Sequence, residues 1–164
     1  MRVLSTLLVI GLCLHACTAP RPMSSIGSHP LDIEIGASDY PFGDGIEIES
    51  VASSTGRIEG ESVLTVRGTY DLSSRDSATL YLGTTSTSSA IVTPRSAVKN
   101  SSVIKKGAGQ FVLEHTVPGP GYPHVTFYDL ETGKPFGGSY FGSGDSLLIQ
   151  KQLWYGGAGE IHND

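Results

Sequence analysis

Cysteine is absent from this chain of 164 residues after position 17, and charged residues make up only 16% of it. Without cysteine, the body of the chain has neither disulfides nor thiolate chemistry nor cysteine-ligated metals. The formal net charge is −5, and no cluster of Lys or Arg interrupts the acidic balance. This argues against binding to nucleic acid or to an anionic membrane surface. No helical periodicity of ten or more residues occurs beyond the N-terminus, which argues against a helical domain.

Alternating apolar and polar residues are what the chain has instead. Ile46 and Ile48 alternate with glutamates, and the same period of two continues through residues 63–72 and 78–82. Such alternation predicts β-strands with one apolar side that a second layer covers. The polar stretches 53–56 and 73–76 have turn composition and predict a meander of three antiparallel strands. We expect a bulge near Ser50, and at Gly68 either a bulge or the close approach of another group.

Later segments continue the pattern. Residues 103–117 predict a hairpin that turns at Gly107 and Ala108, and its inward side includes Phe111, Leu113 and His115. Further short strands follow around residues 125–127 and 146–154, separated by Gly- and Pro-containing loops. Seven to nine short strands at this spacing predict an all-β fold, a single immunoglobulin-like or Greek-key sandwich of antiparallel strands spanning residues 30–155. Residues 156–164 are predicted to be a disordered tail.

The N-terminus is a different kind of sequence. A short basic start precedes an apolar run over residues 3–14, too short to span a bilayer and typical of a secretory signal. It ends in Leu14-His15-Ala16-Cys17, which resembles the lipobox of bacterial lipoprotein precursors. The resemblance covers only the first 20 residues. It implies cleavage after residue 16, lipidation of Cys17 and, since no Asp follows, an outer-membrane destination in the cell envelope. The alternative is an ordinary secretory signal cut near Ala19.

Residues 17–29 are then the lipidated cysteine and a flexible tether to the domain. Several acyl chains on one cysteine give a stable anchor, whereas a single chain is marginal. The membrane would therefore be one partner of the protein. An envelope protein or a glycan is the other partner that we expect.

Two sets of residues are candidate binding sites. Asp39, Asp44 and Asp145 lie in or beside Gly-containing loops and would be ligands of a calcium ion if the fold brings them together. A solvated acidic surface is the plain alternative. Tyr122, Tyr140 and Trp154 belong to a late cluster of aromatic residues and would stack on a sugar if they are exposed. The alternative is that these aromatic side chains have only a packing role and close the ends of the sandwich.

Three functions compete on this basis. The first is a non-enzymatic, lipid-anchored binding or structural module of the cell envelope, because no catalytic motif is present. The second is a carbohydrate-binding module that uses the loop aromatics. The third is an envelope hydrolase or a metal-dependent enzyme, which requires a deep pocket lined by histidines and carboxylates.

Overall fold

The computed structural model describes residues 28–86 and 99–143, and these residues contain seven β-strands and no helix. The strands are β1 (His29–Leu31), β2 (Glu34–Asp39), β3 (Gly45–Ser53), β4 (Val63–Ser86), β5 (Ser101–Thr116), β6 (Gly121–Tyr128) and β7 (Pro135–Gly142). Every ladder between them is antiparallel. The predicted all-β, antiparallel class is therefore confirmed, whereas the sandwich arrangement stays a prediction.

The seven strands form one curled sheet organised around β4. The strand order is β1-β3-β4-β6-β7-β2, and β5 pairs with the other edge of β4. β3 pairs with the first half of β4, from Leu64 to Asp71, whereas β6 pairs with the second half, from Thr79 to Ser86. Because β3 and β6 share one edge of the same strand, β4 divides the sheet into two portions.

A bulge separates the two halves of β4. Leu72 pairs with Gly107, and the next paired residue, Ser77, lies opposite Lys105. Residues 73–76 therefore lie opposite Lys106 alone, and the ladder bends there without ending. The predicted turns at 73–76 and at Gly107 and Ala108 are wrong for this reason. β4 and β5 are continuous strands of 24 and 16 residues, not the short strands that were predicted.

Local chemistry explains why the chain bends at this point. Gly107 has a φ of 109°, a conformation that residues with a Cβ rarely adopt. Opposite Gly107, Ser73 and Ser74 of β4 each donate hydrogen bonds from the backbone N–H and the hydroxyl group. The acceptor of all four bonds is the carboxylate of Asp44, the residue before β3. These bonds satisfy backbone donors that the bulge removes from the ladder.

The core lies on the inner side of the curl. Its buried members alternate along the strands as the sequence predicts: Val51, Leu64, Val66, Leu72, Ala78, Leu80, Leu82, Ile104, Phe111, Leu113, Val117, Val125, Phe127 and Phe141. The two halves of β4 approach each other across this side. His115, which pairs with Leu64 in the first half, has its Nε2 atom 3.0 Å from the Thr84 hydroxyl in the second half. Fourteen buried apolar side chains thus form one cluster common to both halves.

The predictions for Ser50 and Gly68 are confirmed. The register shifts between Ile48 and Ser50, where the bulge was expected. At Gly68 a Cβ atom would lie 2.0 Å from the Glu47 carbonyl oxygen and 2.9 Å from the Phe111 ring. Gly68 is therefore required because the backbone of β3 passes too close for any side chain.

Candidate functional site

The outer side of the second portion of the sheet is rich in aromatic residues. On β6, Val125 and Phe127 are fully buried in the core, so the residues between them point to the other side. We call this outer side of β4, β6 and β7 the aromatic face; its ring-bearing members are Tyr81, Tyr122, His124, Tyr128 and Tyr140, all partly buried. Partly buried rings on a side that does not face the core are available for contact with another molecule.

The rings of the aromatic face pack against one another. The Tyr81 and Tyr128 rings lie 5.6 Å apart, nearly perpendicular at 82°. His124 and Tyr140 pair across the ladder, with ring centroids 5.2 Å apart. Gly83, opposite His124, makes room for this packing, because a Cβ there would lie 2.3 Å from the Tyr81 ring. The aromatic residues form a contiguous packed surface rather than isolated side chains.

A cleft of about 380 Å³ opens on this face. Its lining comes from β2, β4, β6 and β7: Ala37, Asp39, Thr85, His124, Thr126, Tyr128, Pro135, Phe136, Gly137, Gly138 and Tyr140. β2 joins the site because Asp39 pairs with Gly138 on β7. The volume is at the lower end of the range of about 300–1,000 Å³ that is usual for small-molecule sites.

Hydrogen bonds hold the polar groups of the cleft in place. The His124 Nδ1 atom lies 2.8 Å from the Thr126 hydroxyl, and the Tyr140 hydroxyl lies 3.2 Å from that of Thr85. These bonds limit rotation of the His124 and Tyr140 rings. The cleft therefore has a defined shape before anything binds to it.

Burial determines the charge of the cleft. It lowers the pKa of His124 to about 4, and the neighbouring His115 adds to this shift, so the imidazole is neutral at neutral pH. Burial raises the pKa of Tyr128, and the nearby Tyr81 and Tyr140 raise it further, so its hydroxyl keeps its proton. Among the described residues that line the cleft, Asp39 is the only Asp, Glu, Lys or Arg.

Beside the cleft, Arg75 links the bend of β4 to the turn between β6 and β7. Its guanidinium carbon lies 4.3 Å from the centre of the Phe136 ring, and its Nη1 atom lies 3.3 Å from an Asp129 carboxylate oxygen. Phe136 in turn stacks on the buried Phe127 ring, 5.6 Å away. Arg75 is thus engaged by Phe136 and Asp129, and it supports one wall of the cleft.

The predicted calcium ligands occupy different places. Asp44 is engaged by Ser73 and Ser74 at the bend, Asp39 lies at the cleft, and Asp145 lies outside the described residues. Within residues 28–86 and 99–143, no group of three or more His, Cys, Asp or Glu is arranged to hold a metal ion. The structure therefore assigns Asp44 a role in the fold and leaves Asp39 as a cleft residue.

Of the predicted aromatic trio, Tyr140 lines the cleft. Tyr122 pairs with Thr85 on the same face without lining the cleft, and Trp154 lies outside the described residues, as do Cys17 and the predicted tail. His124, Thr126 and Tyr128 line the cleft but were not among the residues predicted from the sequence. The alternation on β6 contained the signal, because an inward Val125 and Phe127 place all three on the opposite side.

No protein family model, no characterised protein and no solved structure matches this chain. In the part of the chain that the structure describes, no helix is long and apolar enough to cross a membrane. The fold and the site define an all-β protein, a single curled antiparallel sheet with a ligand-sized cleft on its outer side.

Proposed function

We propose that this protein is a lipid-anchored module of the cell envelope that binds another molecule on its aromatic face and does not convert it chemically. The observation that supports this most is the cleft itself. It is built from partly buried rings and hydroxyl groups on a side of the sheet opposite the core. Concave sites with aromatic walls and a few placed polar groups are the usual form of small-molecule sites.

The contacts within the cleft favour binding over catalysis. His124 is the side chain best suited to proton transfer, but its Nδ1 atom is engaged with Thr126 and burial keeps it neutral. A general base works best with a pKa near the operating pH, and the pKa of His124 is about 4. The same neutral imidazole is well suited to a fixed hydrogen bond with a bound ligand.

The lipobox supports the location at the envelope. Residues 17–28 between Cys17 and β1 span at most about 40 Å when extended. A domain on such a tether remains close to the membrane that holds its acyl chains, most simply the outer membrane. Its ligand would then be a component of the envelope.

Fractionation of cells tests the anchor. The unaltered protein is expected in the membrane fraction, and Cys17→Ser is expected in the soluble fraction. Cys13→Ser is the matched control, because residue 13 lies inside the predicted signal and carries no lipid. Membrane retention of Cys17→Ser, or a mature N-terminus at Pro20 found by mass spectrometry, would contradict the anchor.

Capture from envelope extract tests the binding role. Tyr140→Ala is expected to lose the component that the unaltered protein retains, whereas Val112→Ala is expected to keep it, because Val112 lies on β5, outside the cleft. Equal capture by both variants would show that the aromatic face is not the binding surface.

A further inference from the structure

The cleft combines two kinds of surface, aromatic rings and polar side-chain groups. Its walls include the rings of His124, Tyr128 and Tyr140, and its polar groups are the hydroxyls of Thr85, Thr126 and the two tyrosines with the Asp39 carboxylate. A sugar ring has the complementary pair of surfaces. Its C–H face packs on an aromatic ring, and its rim of hydroxyls exchanges hydrogen bonds with side chains of this kind.

The charged and neutral side chains of the cleft limit the class of ligand further. Asp39 is exposed and is the only Asp, Glu, Lys or Arg among the described lining, and His124 and Tyr128 are neutral at neutral pH. Arg75 is held by Phe136 and Asp129 next to the cleft and is not among its lining residues. An anionic ligand would meet a carboxylate and no cation inside the cleft, whereas a neutral or amine-bearing ligand fits.

Glycines allow such a ligand to approach the sheet. Gly137 and Gly138 line the cleft, and a Cβ at Gly138 would lie 2.7 Å from the Thr126 hydroxyl oxygen. Any side chain at this position would displace Thr126 and fill the space over the ladder. With glycine there, the space over the backbone of β7 stays open to the ring of a ligand.

From these observations we infer that the cleft is a saccharide site, which takes an uncharged or amine-bearing pyranose ring stacked on Tyr140 and hydrogen-bonded by Asp39 and Tyr128. The inference rests on the proposed binding function and gives it a ligand class. The volume of about 380 Å³ suits a monosaccharide or disaccharide rather than a long chain.

A proline-rich peptide is the other ligand that aromatic grooves commonly take. Such a peptide lies across a row of rings that form parallel ridges. Here the neighbouring rings are steeply inclined, at 82° for Tyr81 and Tyr128 and 56° for His124 and Tyr140. The hydroxyl-rich lining also exceeds what the few polar groups of such a peptide require. Both features favour the saccharide.

Binding of the full-length protein in detergent to an array of neutral, amine-bearing and uronic-acid saccharides, with a proline-rich peptide as a further probe, tests the inference, followed by calorimetry on the best binder. We expect binding to neutral and amine-bearing saccharides and at least several-fold weaker binding to the uronic acids. Tyr140→Ala is expected to weaken binding about tenfold, and Tyr128→Phe about fivefold through one lost hydrogen bond. Asp39→Asn is expected to remove the discrimination against acidic sugars while neutral sugars still bind.

Val112→Ala is the control for each variant and is expected to bind as the unaltered protein does. Thermal unfolding of every variant separates loss of binding from loss of fold, and Asp39→Asn keeps the test valid if Tyr140→Ala is unstable. The inference is overturned if no saccharide binds, if acidic sugars bind best, if Asp39→Asn leaves the preference unchanged, or if only a proline-rich peptide binds. Cleavage of a bound oligosaccharide would instead contradict the non-enzymatic function, and a soluble protein that still binds sugar would contradict only the anchor.

Discussion

The two halves of β4 share one inner side and differ on their outer sides. Inward, both contribute buried aliphatic side chains to the same core, Leu64 and Val66 from the first half and Leu80 and Leu82 from the second. Outward, the first half carries Val63, Thr65, Arg67, Thr69 and Asp71. The second half carries Ser77, Thr79, Tyr81, Gly83 and Thr85, and it lies beside the rings of β6.

The first half shows what this fold needs on its outer side, which is ordinary solvated threonine and charge. The second half departs from that requirement with a packed aromatic surface and a cleft. Because the core is complete without those rings, their arrangement points to contact with another molecule. The proposed binding function therefore belongs to one half of the sheet, although both halves contribute to the same core.

The largest effect should come from the inner side. Phe127→Ala is expected to destabilise the protein by about 3–5 kcal/mol, because the ring is fully buried and packs against Tyr40 and Phe136. The neighbouring Tyr128→Phe changes only the outer side and is expected to cost less than about 1 kcal/mol. Urea unfolding measures both. Equal costs would show that the aromatic face is part of the core and would remove the difference between the two sides.

The free energy of unfolding should fall at acidic pH because of His124 on the aromatic face. The unfolded chain protonates His124 with its ordinary pKa of 6.5, but the folded chain does so only near 4. Between these values the unfolded state binds more protons, so stability falls as the pH falls through this window. The loss is expected to be about 1–3 kcal/mol.

NMR titration of the imidazole and urea unfolding across the same pH range measure this effect. Burial also lowers the pKa of His115, which adds loss of the same sign. His124→Gln is expected to flatten the dependence without abolishing it. A titration midpoint near 6.5 for His124 would mean that the ring is solvated and that the cleft is not packed around it.

Glycines on the two sides should respond differently to the same substitution. Gly68→Ala places a methyl group against the Glu47 carbonyl and the Phe111 ring, so backbone must move and a cost of about 1–3 kcal/mol is expected. In Gly83→Ala, the three atoms nearest to the added methyl group all belong to the Tyr81 side chain on the outer side. That ring can rotate, so the cost is expected to be smaller and the aromatic face to be altered instead.

Thermal unfolding ranks these two variants, and the assigned NMR signals of the Tyr81 ring report on its environment. The contrary result, a Gly83→Ala variant less stable than Gly68→Ala, would mean that the aromatic face constrains the fold more than the core does.

The sequence predicts the features of this structure that depend on neighbouring residues better than those that depend on residues distant in the chain. The alternation of Leu64 and Val66, and of Leu80 and Leu82, indicates strands and their inner side because a pleat has a period of two. The outcome at residues 73–76 was not predictable in the same way. Polar residues of this kind form turns and bulges alike, and Asp44, far away in sequence, decides between them.

The cleft, too, depends on contacts that local sequence patterns do not predict. The alternation on β6 would have placed His124 and Tyr128 on one side of a strand. Their meeting with Tyr140 depends on the register of the ladder between β6 and β7, and their meeting with Asp39 depends also on the pairing of β7 with β2. Strand β2 lies far from β7 in the chain: Ser38 and Ser139, which pair in this ladder, are 101 positions apart. No local pattern specifies such registers, because a shift of a ladder changes which side chains meet.

The smallest predicted effect concerns the bend that joins the two halves. Asp44→Ala removes the acceptor of the hydrogen bonds from Ser73 and Ser74 and is expected to cost about 1–2 kcal/mol at neutral pH, as the loss of a helix-capping carboxylate does. Partial burial acts to raise the pKa of Asp44, but these hydrogen bonds outweigh it and lower the pKa below the ordinary 3.8. The stabilisation is therefore complete above that value and is lost as the pH falls through the lowered pKa.

Urea unfolding of Asp44→Ala and the unaltered protein at neutral and at acidic pH measures this difference, and Asp76→Ala, an exposed residue of the same bulge, is the control. The two stability curves are expected to converge in acid for Asp44→Ala only. If Asp44→Ala also changed saccharide binding on the aromatic face, the bend would transmit strain between the two halves. If instead it affects stability alone, the halves share a core and a strand but act independently, as their different outer sides suggest.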